Sequence, residues 1–241
     1  MIRKMLSIFG LEIKKINRNI TSKKQFFTMQ SALERCFERG LNVKSVIDVG
    51  ASDGRWSEMC LAILPKANYL LVEAQEGHVE NLAKFCEKHS TTSFVHAAAG
   101  PSDGKVYFDE GDLFGGLAST EALKNNCIEV DAIALDNEIN RRKLEPPYLL
   151  KLDTHGFELP ILEGAKQLLK LSELVIIETY NYKLTNDSLK YYEMCHYMEK
   201  LGFSPIEMVD FELRTYDNSF WQMDTFFIKS SNTSFNYNSY K

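Results

Sequence analysis

No stretch of about eighteen apolar residues occurs in the 241-residue sequence, so none of it reads as a membrane-spanning helix. The five cysteines (Cys36, Cys60, Cys86, Cys127 and Cys195) are odd in number, scattered and never spaced as CxxC. That pattern argues against both a disulfide framework and a thiolate zinc site, and fits a reducing cytoplasm. Met1 to Gly10 lacks the long apolar core and small-residue cleavage site of a secretory leader, so none is expected. A GxGxxG fingerprint is also missing, which counts against a nicotinamide-dependent oxidoreductase. With 44% hydrophobic and 25% charged residues, the composition is that of one globular core with no need of a second domain.

Charge is divided unevenly. Residues 1–44 carry ten Lys/Arg against three Asp/Glu, a net +7, and the remainder carries −12, which together give −5. Ile2, Met5, Phe9, Ile13, Ile16 and Ile20 recur at helical spacing among Arg3, Lys4, Lys14, Lys15 and Arg18, predicting a basic amphipathic helix. Such a helix packs across the main domain, makes a peripheral membrane contact or binds a partner. Phe26, Leu33 and Phe37 predict a second helix ended by Gly40. The expected organisation is a helical extension over 1–42, a main domain over 43–229 and a Ser/Asn/Tyr-rich tail over 230–241 without fixed structure.

The informative stretch is VIDVGASDGRW, Val46 to Trp56. Val46, Ile47 and Val49 predict a buried strand, and Gly50 and Gly54 bracket a loop of small residues before a helix. With Asp48 ahead of the turn and Asp53 inside it, this corner suits a cationic, hydroxyl-rich ligand rather than a phosphate. YLLVEA, Tyr69 to Ala74, is the apolar run of a strand covered on both faces. It ends at Glu73, 23 residues past Gly50, where an α/β nucleotide fold sets its acceptor for ribose hydroxyls. The helix between them should turn Trp56, Met59 and Ile63 inward and stop at Pro65, and His96 reads as a packed core histidine without a catalytic role.

Downstream, KVYF (105–108) predicts a hairpin arm, and the glycine-rich loop Gly111 to Thr120 should lie beside the cleft. In LLKLDTHGFELPILEGAKQLL a buried strand ends at Asp153, Thr154 and His155, followed by one helix lined by Leu159, Ile161, Leu162, Ala165, Leu168 and Leu169. Ligands of open α/β sheets collect outside the carboxyl ends of strands, so Asp153 and His155 should face Gly50. LVIIE (174–178), a helix near 191–201 and the pair FSPIEMVD and DTFFIK complete the pattern. The expected fold is α/β and Rossmann-like: a mostly parallel sheet with a C-terminal antiparallel strand pair and N-terminal helices.

The glycine corner resembles motif I of the class I S-adenosylmethionine-dependent methyltransferases. The succession VIDVGASDG, LLVEA, AAAG, IEVDAIALDNEI, LLKLDTHGFELPILEGA, LVIIETYNYKL and MEKLGF resembles the FkbM methyltransferases over residues 43–229. Ala51-Ser52 stands where relatives often carry Ala-Asn, and Ala134 where threonine is usual. The resemblance implies S-adenosyl-L-methionine as cofactor, bound by Asp48, Gly50, Ser52, Asp53, Glu73, Ala74 and Asp153, and O-methylation of a sugar, glycan or secondary metabolite. His155, titrating near neutrality, is the expected general base. Asp153 orients it, positions the acceptor or contacts the donor's amine. No metal is assigned and no nucleic-acid partner is expected. A magnesium-dependent alternative would use Asp153, Glu178 and Asn181, and a non-catalytic binding module on the same fold is the other rival.

Overall fold

The computed structural model describes residues 26–123, 127–186 and 188–240. The expected basic helix over 2–20 lies outside them. Helix α1 spans Met29–Glu38. Thr28 caps it by accepting from Ser31 N while Ser31 returns the bond, a reciprocal arrangement that satisfies otherwise orphaned donors. Phe26 therefore lies before the helix, exposed, whereas Leu33 is buried.

Alternation of strand and helix follows. β1 (Ser45–Val49), α2 (Arg55–Ile63), β2 (Asn68–Glu73), α3 (Val79–Lys88) and β3 (Thr92–His96) form one half. A small second sheet comes next, from β4 (Ala98–Ala99), β5 (Gly104–Asp109), β6 (Leu117–Ser119) and β7 (Cys127–Ile133), in the order β4-β7-β5-β6. Then come α4 (Leu135–Arg142), β8 (Tyr148–Leu152), α5 (Glu158–Glu163), α6 (Lys166–Lys170), β9 (Ser172–Tyr180), α7 (Tyr191–Lys200), β10 (Phe203–Leu213) and β11 (Phe220–Lys229).

The main sheet runs β10-β11-β9-β8-β1-β2-β3. β1 pairs in parallel with β2 and β8, and β8 with β9, while β11 is antiparallel to both β9 and β10. Chain order runs outward from β1 in two directions, so the crevice expected at a topological switch opens over the ends of β1 and β8. Two apolar layers hold the sheet. Ile47, Leu70, Leu150, Val175 and Phe227 pack toward α5–α7 and the small sheet, and Val46, Leu71, Leu149, Ile176 and Phe226 pack toward α1–α3.

On α2, Trp56, Met59 and Ile63 do turn inward and pack, partly covered, against the core, with Ser57 and Cys60 fully buried between them. Two local expectations are corrected. The predicted single helix after β8 is two short ones, because a Cβ on Gly164 would sit 2.1 Å from the Gly100 carbonyl oxygen and the chain bends where that loop presses on it. His96 is exposed rather than packed, because β3 is an edge strand of the sheet. In the tail, Thr233–Asn236 forms a short 3-10 turn whose Phe235 packs against the helix-covered layer.

Candidate functional site

A cleft of about 520 Å³ opens over the carboxyl ends of the central strands. Of the predicted site residues it is lined by Gly50, Ser52, Glu73, Ala74, Asp153 and His155. Glu73 closes the corner between the first two strands: its two carboxylate oxygens accept from Ser52 N and Gln75 N, each at 2.7 Å. Charged acceptors on backbone donors are among the stronger hydrogen bonds, and each oxygen keeps a lone pair for a ligand hydroxyl.

Asp48 and Asp53 do not line the cleft. Asp48 is wholly buried beneath it, accepting from Ser57 Oγ at 2.7 Å and lying 3.6 Å from Lys151 Nζ. Burial pushes its carboxyl pKa up, and the Lys151 charge opposes that. Asp53 turns outward into an ion pair with Arg55, 2.6 Å apart, whose hydrogen bonds lower its pKa. The acidic residues that line the cleft are instead Glu73, Asp153, Asp210 and Asp224.

Lys151 was not singled out in the sequence, yet it organises the far wall. Successive β-strand residues alternate faces, so Lys151 and Asp153 share one side of the strand line. Their ammonium and carboxylate meet at 2.9 Å, and Nζ sits 5.4 Å over the Trp56 ring. Burial works against the charged Lys151, but Asp153, Asp48 and Asp224 raise its pKa overall. Asp153, in turn, is held below the ordinary carboxylate range: burial raises it, and the neighbouring Lys151 more than reverses that.

His155 is bound at both ring nitrogens. Nε2 lies 3.2 Å from the Phe114 carbonyl oxygen, which can only accept. Nδ1 lies 2.8 Å from the Tyr180 hydroxyl and 3.2 Å from Glu178 Oε2, and that hydroxyl already donates to Glu178. Both nitrogens therefore face acceptors, the arrangement of an imidazolium. Burial alone would depress the pKa; Glu178, Asp153 and the Phe114 carbonyl raise it to about 9. This protonation at neutral pH is opposite to the one expected of a general base.

Asp224, on β11 opposite Glu178, also lines the cleft and was missed. Among the described residues nothing hydrogen-bonds its carboxylate, and burial, against the opposing pull of Lys151, raises its pKa to about 7. Glu178, Asp153 and His155 bring ligand atoms within 4.8 Å of one another. Asn181 spends its amide on the Phe220 carbonyl.

The glycine-rich loop lies beside the cleft as expected, with Leu113, Phe114 and Gly116 in its wall. Gln75 Nε2 donates to the Glu110 and Asp112 carbonyls, and His78 Nε2 lies 2.9 Å from the Leu113 carbonyl. The cleft thus has the size, the acidic lining and the glycine-tight corner that a sulfonium nucleoside requires. Gly50 makes that corner possible, since a Cβ there would overlap the Asp153 carbonyl.

The sequence model of a family described as the methyltransferase FkbM domain matches residues 48–205. No curated protein sequence matches the chain. Among solved structures, precorrin-6y C5,15-methyltransferase from Geobacter metallireducens GS-15 is 10% identical with a TM-score of 0.47, over 84% of this chain and 88% of that one. The Methanococcus jannaschii fibrillarin pre-rRNA processing protein is 14% identical with a TM-score of 0.48, over 83% and 75%. Streptococcus pneumoniae Sp1610 in complex with S-adenosyl-L-methionine is 12% identical with a TM-score of 0.46, over 82% and 72%. Among the described residues, no helix is long and apolar enough to cross a membrane.

Proposed function

The chain belongs to the FkbM family of S-adenosylmethionine-dependent methyltransferases, and from that membership we propose that it methylates a hydroxyl oxygen of a sugar, glycan or related metabolite, as in polysaccharide biosynthesis. The observation that carries this reading is the division of one cleft into two chemistries. Gly50, Ser52 and Glu73 form a neutral-to-acidic corner suited to a nucleoside, and Asp153, His155 and Asp224 form a hydrogen-bonding wall opposite. On this reading Glu73 accepts from the ribose hydroxyls, and Asp153 holds the methionyl amine or the acceptor.

S-Adenosylmethionine, held by Gly50, Ser52 and Glu73, would supply the methyl on a sulfonium, with the C–S electron pair left on sulfur as the C–O bond forms. The protein's main task is alignment, which can supply roughly 7 to 11 kcal/mol of such a barrier. A hydroxyl nucleophile must also lose its proton. Asp224 is the better-matched acceptor, with a free carboxylate at the cleft wall and a pKa of about 7. The His155 imidazolium, with both N–H groups already bonded, contributes a fixed positive charge to that wall and no hydrogen bond to the attacking oxygen.

A second, metal-assisted reading draws on the Asp153, His155 and Glu178 trio. Lys151 already occupies Asp153 and two acceptors occupy His155, so a cation would have to displace both. Calorimetry with Mg²⁺ or Mn²⁺ alone decides between the readings. For the donor site, titration with S-adenosylhomocysteine should give saturable heat and a raised Tm. Absence of both at millimolar ligand would overturn the proposal.

A further inference from the structure

We infer that the aromatic end of the β10–β11 hairpin, together with Phe26 and Phe27, docks on an anionic membrane surface. Phe27, Phe211, Leu213 and Tyr216 are 62%, 55%, 60% and 87% exposed. Single exposed apolar side chains are ordinary, but a joined group of large ones marks an interface. The backbone joins these: Asp210 N donates to the Phe27 carbonyl at 3.3 Å, and Met29 N donates to Asp210 Oδ2 at 3.2 Å, which holds the Phe26-Phe27 segment beside Phe211. The Phe211 ring lies 6.1 Å from that of Phe220, which in turn meets Tyr191 at 6.4 Å.

Charge identifies what the patch meets. Residues 1–25, which precede Phe26 in the chain, hold seven Lys/Arg and one Asp/Glu, a net +6, whereas residues 26–241 carry −11. Exposed charges are screened beyond about 8 Å at physiological salt, so the attraction to anionic headgroups has to come from this basic segment, which joins the chain at the patch. Tyrosine and phenylalanine at that end suit the boundary between headgroup and acyl chain. Met29 and Asp210 also line the cleft, so the patch borders its mouth and an acceptor carried by the bilayer has a short path in.

The test is co-sedimentation of the full chain with phosphatidylcholine vesicles with and without phosphatidylglycerol, at low and high salt. Pelleting should require phosphatidylglycerol and fall with salt. Reversing Lys14, Lys15 and Arg18 to Glu should weaken it by on the order of a hundredfold. The pair Phe211→Ser and Leu213→Ser should abolish retention while S-adenosylhomocysteine still binds, since neither residue lines the cleft. In unaltered protein, brominated phosphatidylglycerol should quench Trp221, which is stacked on Tyr182 next to Phe220, and Trp221→Phe should remove the quenched component. No pelleting at low salt, as when residues 1–25 or a second copy cover the patch, overturns the inference. So does pelleting that survives the Phe211 and Leu213 changes, or that leaves Trp221 unquenched.

Discussion

The Cβ that Gly50 lacks would lie 1.9 Å from the carbonyl oxygen of Asp153. The glycine therefore lets the turn after β1 close against the end of β8, which sets the two halves of the cleft at a fixed separation. Its φ of +75° adds a second demand that only glycine meets cheaply. Gly50→Ala should cost about 1 to 2 kcal/mol for the backbone angle alone, with more for the overlap. Urea denaturation and S-adenosylhomocysteine calorimetry should both register a loss; unchanged values would show that the strand ends are not tightly coupled.

Glu73→Ala removes the acceptor of both Ser52 N and Gln75 N. Donor-product affinity should fall by roughly 1 to 3 kcal/mol, the range for leaving such groups unpaired, while Glu73→Gln should recover part of it. Calorimetric titration of the two variants checks this.

Lys151→Met would leave Asp48 buried without its counter-charge. Removing one partner of a buried pair costs roughly 3 to 5 kcal/mol, so the urea midpoint should drop markedly. A double change, Lys151→Met with Asp48→Asn, should restore much of the loss.

Asp224 and His155 both lower stability as pH rises, each in its own window. The folded pKa of His155, about 9, exceeds its ordinary 6.5, so its stabilising contribution is full below about pH 6.5 and fades as pH rises through about 9. The stability gap between wild type and His155→Asn should narrow across that window. Asp224 has a folded pKa of about 7 against an ordinary 3.8, so its ionisation costs stability progressively as pH rises from about 3.8 to about 7, and the cost stays constant above that. Asp224→Asn should therefore be more stable than wild type at pH 8 and no different at pH 3. Its methyl transfer should nonetheless fall by roughly 10²- to 10⁴-fold, the usual contribution of a positioned base.

The strand-turn-helix corner, Glu73, the parallel centre and the antiparallel pair were legible because buried strands read as apolar runs and glycines mark turns. Asp48 and Asp53 were legible as residues but not as partners: nothing local reveals that Lys151 lies beneath one and Arg55 beside the other. Lys151 itself carried a signal, a lone charge inside LLKL two positions from Asp153. The protonation of His155 had none, since it depends on Tyr180, Glu178 and Phe114, 25, 23 and 41 positions away. Asp224 reaches the cleft only through the sheet register opposite Glu178.

The central claim is transfer of a methyl group to a sugar oxygen. The most direct measurement is incubation of the protein with methyl-labelled S-adenosylmethionine and a panel of free and lipid-linked glycans, followed by mass spectrometry that locates the label. The account predicts a labelled methyl ether on a sugar hydroxyl, formed by wild type and strongly reduced in Asp224→Asn, with donor binding retained in both. Label on nitrogen or carbon, or equal transfer by the two proteins, would contradict it.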